Sequence, residues 1–155
     1  MSVRKQIRMT DDEVAAFLQG RHTMSVATIG KDGQPHLVAM WYGFLDGAPA
    51  FWTYKKSQKI RNLQRDNRIT CLVEEGETYE QLRGAMLIGR GTILEDQAIV
   101  IKVGESVFER YYGQSGEAVR PVIEQMGRKR VVVRIDVERV ISWDHRKLAA
   151  LSAAD

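Results

Sequence analysis

The sequence predicts a mainly β protein with minor α content: a small closed antiparallel barrel of six strands with flanking helices. Three observations lead there. Runs of β-branched, aromatic and alternating apolar residues recur, bounded by turn chemistry such as Asp32-Gly33. Helical periodicity is confined to a few stretches between them. A chain of 155 residues is long enough to bury one core, so one domain over 1–155 is expected.

The elements follow in order. Thr10 and Glu13 form a T-x-x-E capping box, with Asp11 and Asp12 suiting a positive helix start. Val14, Phe17 and Leu18 share one face, and Gly20 stops the helix. "HTMSVATI" then alternates as a strand, "GKDGQ" turns, and "PHLVAMWYGF" is a second strand with Pro35 at its harmless start. "LDGAP" turns again into a third strand, "AFWTY", so the order reads as a meander. Ser57 is a good N-cap for a short helix in which Ile60 and Leu63 share a face. "ITCLVE" is a fourth strand, the acidic "EEGETYE" a loop, and "GAMLIGRGTILE" a fifth strand whose glycines allow bulges. Residues 96–112 read as a helix with the stripe Ile99, Val103, Val107 and Tyr111, and 116–126 as a shorter one. "KRVVVRIDVERVISW" closes the chain as one or two strands.

Composition excludes several classes. A formal charge of +3 suits an anionic ligand but argues little for nucleic acid. The single cysteine, Cys71, permits no internal disulfide, so a reducing cytoplasm is the expected home. "MSVRKQIRMTDDE" lacks the apolar stretch of a signal peptide, and no apolar run approaches the ~20 residues of a membrane span. No catalytic triad, metal set or nucleophile stands out. His22, His36 and His145 are far apart, and Cys71 sits in an apolar strand where an inert core role is expected.

The informative stretch is "WTYKKSQKIRNLQRDNRIT". Lys55, Lys56 and Lys59 surround a serine-capped helix start. Unpaired N–H groups and the helix dipole already favour an anion there, and lysines beside that end oppose the dipole unless an anion resolves them. Two readings stand: a phosphate seat, or a lysine-rich sheet edge that discourages aggregation. Upstream, bulky residues occupy both faces near the end of "PHLVAMWYGF", as core or as the wall of a groove for a planar ring.

The order of segments resembles the split β-barrel flavin and deazaflavin oxidoreductases, the superfamily of pyridoxamine 5′-phosphate oxidase. The resemblance covers nearly the whole chain. Its most specific part is Ser57, Lys59, Asn62 and Leu63 followed by "RDNRIT". It implies an FMN-binding split barrel in which Val38, Ala39, Met40 and Trp41 lie along a tricyclic ring, largely through backbone groups. Thr53, Tyr54, Lys55, Lys56, Ser57 and Lys59, with Asn62, would hold the ribityl phosphate. The resemblance also implies a homodimer whose second subunit completes the ring pocket through Arg83 and Trp143, with Tyr79 a weaker candidate.

Departures narrow the activity. Ala39 stands where many relatives have proline, and Asp66-Asn67 where many have Asn-Pro. The tail "ISWDHRKLAALSAAD" offers no match to the arginine-rich pyridoxal phosphate segment of the B6 oxidases. The segment "TYKKSQK" and the ending "RVISW" are more similar to the actinobacterial group that uses coenzyme F420. The implied activity is hydride transfer from reduced deazaflavin to an unsaturated acceptor such as a quinone or a tetrapyrrole. FMN is the alternative cofactor, and a non-catalytic flavin- or haem-binding protein the alternative role. No catalytic residue is assigned; Tyr42 or water are the candidate proton sources.

Overall fold

The computed structural model describes residues 1–153. Its elements are α1 (Val3–Gln6), α2 (Asp11–Leu18), β1 (Met24–Ile29), β2 (Pro35–Met40), β3 (Gly43–Leu45), β4 (Ala48–Tyr54) and α3 (Gln58–Arg65). They continue as β5 (Arg68–Glu75), a 3-10 turn (Tyr79–Gln81), β6 (Arg83–Leu94), α4 (Gln97–Tyr112), α5 (Arg120–Gly127), β7 (Arg130–Asp144) and α6 (Lys147–Ser152). The strands form one curled antiparallel sheet in the order β2-β1-β5-β6-β7-β4-β3.

Seven strands replace the expected six because the run 35–44 breaks at Trp41-Tyr42. β2 pairs with β1 and β3 pairs with β4, at opposite edges of the sheet. The cause lies in α4. The Tyr42 N–H donates to the Tyr111 hydroxyl (3.3 Å), and the Tyr42 carbonyl accepts from Arg110 Nε (2.9 Å). With both backbone groups taken by side chains, Tyr42 has none left for a ladder. The expected closed barrel is therefore a half-barrel with two edges, bridged covalently at 41–42. Nor is it a simple meander: β4 lies beside β7, not β5.

Two cores result. Met24, Val26, Phe51, Ile69, Cys71, Leu87, Val133 and Ile135 fill the concave side, closed by Val14, Phe17 and Leu18 of α2 and by Ile60 and Leu63 of α3. A second cluster on the convex side packs Leu45, Ala50, Trp52 and Val132 under Val100, Val103 and Phe108 of α4 and Ile123 of α5. Alternation along β4 and β7 assigns each residue to one cluster or the other.

Local expectations fare unevenly. The capping box of α2 is present in both directions. Ser57 occupies the N-cap of α3 but makes no capping bond; it accepts instead from Thr53 Oγ1 at 3.4 Å. The helix expected over 116–126 runs from Arg120 to Gly127, because Pro121 suits only a first turn. The basic N-terminus and the tail carry the short helices α1 and α6, and the acidic loop holds the 3-10 turn. The closing segment is one strand, bulged at Glu138 opposite Ile88 and Gly89. A side chain at Gly89 would strike the Asp136 carbonyl, so the bulge requires glycine there.

Candidate functional site

The break at Trp41-Tyr42 leaves two bare strand edges. β2 has a ladder partner only in β1, and β4 pairs with β3 only up to Ala50. A cleft of about 460 Å³ lies between them. Ala39, Met40 and Trp41 form one wall, Trp52, Thr53 and Tyr54 the other, and Lys59, Val107 and Arg130 complete it. Main-chain donors and acceptors on both edges stand outside any ladder, which makes backbone recognition of a flat ligand available here.

Thr53 and Tyr54 point to opposite sides of β4, and a cation stands on each side. Lys59 is only 8% exposed, and its Nζ donates to Thr53 Oγ1 at 2.9 Å. Among the described residues no carboxylate lies within ion-pair reach of it. An ammonium has three protons to place, and burying it without a counter-ion costs on the order of several kcal/mol. Burial accordingly pulls the Lys59 pKa below that of an ordinary lysine. On the other side, the Arg130 guanidinium lies over the rings of Tyr54 (4.3 Å) and Trp52 (5.0 Å). Its Nη1 donates to the Met126 carbonyl at 2.6 Å, and it too has no carboxylate partner among the described residues. Lys55 and Lys56 are exposed on the turn after β4, where the Lys55 N–H bonds the Lys129 carbonyl (2.9 Å). That contact brings Arg128, Lys129 and Arg130 beside the lysines.

Aromatic packing stiffens the rim. Trp41 stacks on Tyr111 with centroids 4.5 Å apart, and Tyr112 meets it edge-on at 5.5 Å. The Tyr111 hydroxyl donates to the His22 carbonyl at 2.6 Å. Trp41 remains 43% exposed, so the core reading of this residue does not hold, whereas Phe51 and Trp52 are buried.

Of the residues singled out in the sequence, Ala39, Met40, Trp41, Thr53, Tyr54 and Lys59 line one cleft. Ser57 stands one hydrogen bond behind Thr53. Val38 packs against the concave core. Asn62 is fully buried, donating to Thr28 Oγ1 (3.0 Å) and accepting from Gln58 Nε2 (2.8 Å), so it ties α3 to β1 rather than facing the cleft. Arg83 and Trp143 sit at the far end of the β6–β7 ladder, where Arg83 pairs with Glu75 and the indole of Trp143 lies on Gly84. Arg130 opens β7 and Trp143 nearly closes it, so one chain does not bring both to the cleft. Tyr79 packs edge-on against His145. Sequence reasoning missed Arg130 and Val107 as cleft residues, though the basic run "GRKR" was visible.

Other reactive groups are quiet. Burial pushes the Tyr42 hydroxyl up to about 12, and it donates to the Leu18 carbonyl at 2.6 Å. Burial likewise pushes the Cys71 thiol up to about 12. Among the described residues no group of three or more metal-ligating side chains gathers, and no helix is long and apolar enough to cross a membrane.

A curled antiparallel sheet split at one seam, with a cleft at the gap and two cations there that have no carboxylate partner among the described residues, defines a split-barrel protein. The sequence profile of pyridoxamine 5′-phosphate oxidase matches residues 10–144, and the chain belongs to that family. A solved structure of a conserved hypothetical protein from Mycobacterium tuberculosis is 46% identical, covers 96% of this chain and 93% of its own, and superposes with a TM-score of 0.91. An F420 reductase shares the fold at 23% identity, with 81% and 93% coverage and a TM-score of 0.61. The haem storage protein HutZ of Vibrio cholerae shares it at 16% identity, with 85% and 94% coverage and a TM-score of 0.66. No curated protein matches the sequence.

Proposed function

We propose that the protein is an F420H2-dependent reductase acting on an unsaturated organic acceptor. One observation carries this reading: a lysine buried without a counter-ion among the described residues, hydrogen-bonded to Thr53, at a cleft between two bare strand edges. A phosphate at Lys59 accounts for a cation that the described residues leave uncompensated. The segment "TYKKSQK", more similar to the group that uses F420, supports deazaflavin over FMN.

The residues would divide the work as follows. Lys59, Thr53 and Ser57 hold the phosphate, with Lys55 and Lys56 raising the local positive potential. The edges of Ala39–Trp41 and Trp52–Tyr54 hold the ring flat and shield it from water. When bound, reduced deazaflavin supplies a hydride to the acceptor. Binding and orientation then dominate the chain's contribution to rate. Tyr42 is not the proton source in this reading, because its hydroxyl is buried, raised in pKa and already donating.

The homodimer belongs to the same proposal. α4 and α5 cover the convex face over β3, β4 and the start of β7, as a monomer would need. They leave the convex face of β2, β1, β5 and β6 bare. Register lays two rows across it: Leu37, Ala27, Thr70 and Ile88, then Ala39, Ser25, Leu72, Met86 and Ile141. Leu37 is 70% exposed at its edge. A second copy seated there would bury this surface and offer its own Arg83 and Trp143 to the ring.

Titration of the purified protein with F420 and with FMN, followed by fluorescence, tests the cofactor. Tighter binding of F420 and reoxidation of F420H2 by a quinone or tetrapyrrole are expected. Preference for FMN would move the protein to the flavin branch of its superfamily. Tight binding without turnover of any acceptor would leave a storage or sensing role.

A further inference from the structure

We propose that Arg130 is a second anion-binding residue of the cleft, reading a carboxylate on the opposite side of β4 from the Lys59 seat. The inference deepens the reading above by assigning charge to a second part of the ligand, although it does not require that the ligand be a deazaflavin.

Four features set Arg130 apart from an ordinary surface arginine. It lines the cleft. Its guanidinium is clamped over the Tyr54 and Trp52 rings, and Nη1 is committed to the Met126 carbonyl at the end of α5. The chain thus spends three contacts on orienting one cation. Nε and Nη2, the side-by-side pair that fits the two oxygens of a carboxylate, have no hydrogen-bond partner among the described residues. Finally, no acidic side chain among the described residues answers the charge. Most other arginines whose guanidinium is held in place here do have a carboxylate: Arg68 has Asp66, Arg120 has Glu105 and Glu124, Arg134 has Asp136, and Arg146 has Asp144. Arg110 and Arg65, which have none among the described residues, donate to backbone carbonyls, four for Arg110 and that of Ile29 for Arg65.

Placement separates this cation from the phosphate seat. Trp52, Tyr54 and Arg130 share the convex side of the β4–β7 pair, where Tyr54 and Arg130 are register partners, whereas Thr53 meets Lys59 on the other side. A single anionic group does not satisfy both cations without crossing the strand edge. Arg128 and Lys129, exposed and adjacent, extend the positive potential outward from Arg130. The carboxylate has two possible sources, an acidic tail on the cofactor or an acidic group on the acceptor, and both present the same planar pair of oxygens.

The test uses full-length protein and the variants Arg130→Met, Arg130→Lys and Lys59→Met, each checked for native thermal unfolding. Met keeps the apolar stem over the rings, and Lys keeps the charge without the fork. Triglutamate and inorganic phosphate are titrated separately, with tryptophan emission as the readout, since Trp52 lies against the guanidinium. Triglutamate affinity is expected to fall about tenfold or more in Arg130→Met, to recover in part in Arg130→Lys and to survive in Lys59→Met. Phosphate affinity should show the reverse dependence. If phosphate ignores Lys59 while triglutamate still depends on Arg130, the phosphate seat fails and the present inference stands. Equal loss of triglutamate in the Arg130 and Lys59 variants, or a change below twofold in Arg130→Met, overturns it. Repeating the comparison with deazaflavins of different tail length, and with a carboxylated acceptor against its methyl ester, identifies the source.

Discussion

Lys59 shows how one residue carries opposed demands. Folding gains nothing from an ammonium buried beside a single hydroxyl, and the proposed role as a phosphate ligand accounts for it. Lys59→Met should therefore weaken phosphate or cofactor binding by about 10- to 100-fold while leaving the ligand-free protein as stable or more so. Titration calorimetry and thermal unfolding would check the two halves, and a variant that unfolds earlier yet binds normally would contradict both. The sign with pH follows from the depressed pKa. Anion binding favours the protonated lysine, so affinity should fall as pH rises through the lowered folded pKa, at a lower pH than an ordinary lysine would give. Without ligand the same shift makes folding stability rise with pH over the interval between the lowered folded pKa and the ordinary unfolded one. Tyr42→Phe probes the other side of the proposal. It removes the bond to Leu18 and should cost about 1 kcal/mol of stability, with kcat at saturating cofactor little changed. A loss of about 10³-fold would instead mark an essential proton donor.

At the scale of elements, α4 decides where the sheet splits. Arg110 donates to the carbonyls of Leu18, Gln19, Gly20 and Tyr42 and lies over the rings of Tyr42 and Phe44. It joins the end of α2 to the break between β2 and β3. Arg110→Met strips partners from carbonyls that include part-buried ones and should cost about 2–4 kcal/mol, read as a lower unfolding midpoint. Cofactor affinity should fall with it, because the Trp41 wall loses its anchor; an unchanged affinity would show that the wall is held by the Tyr111 stack alone.

For the whole molecule, the apolar convex face of β2, β1, β5 and β6 predicts the assembly. Light scattering at micromolar concentration should give about twice the 17.6 kDa chain mass. Leu37→Glu combined with Met86→Glu places charge in two adjacent rows of that face and should yield monomers with weaker cofactor binding. Monomers that bind at full affinity would remove Arg83 and Trp143 from the site.

The sequence by itself determined what depends on neighbours along the chain. The α2 capping box, the strand alternation, the Asp32-Gly33 turn and the cationic loop at 55–59 were all legible, because caps, turns and pleats are set within a few residues. The tertiary structure decided what depends on residues far apart. The run 35–44 reads as one strand until Arg110 and Tyr111, almost seventy residues later, take its backbone groups at Tyr42. The family resemblance implies Asn62 as a phosphate ligand, whereas in the fold its amide donates to Thr28 of β1. Nothing in the sequence singles out Arg130; the pairing of β7 with β4 sets it over Trp52 and Tyr54 at the cleft. Local chemistry names the residues that can bind an anion. Only long-range pairing shows which of them lack a counter-ion, because that depends on every charge the fold brings near.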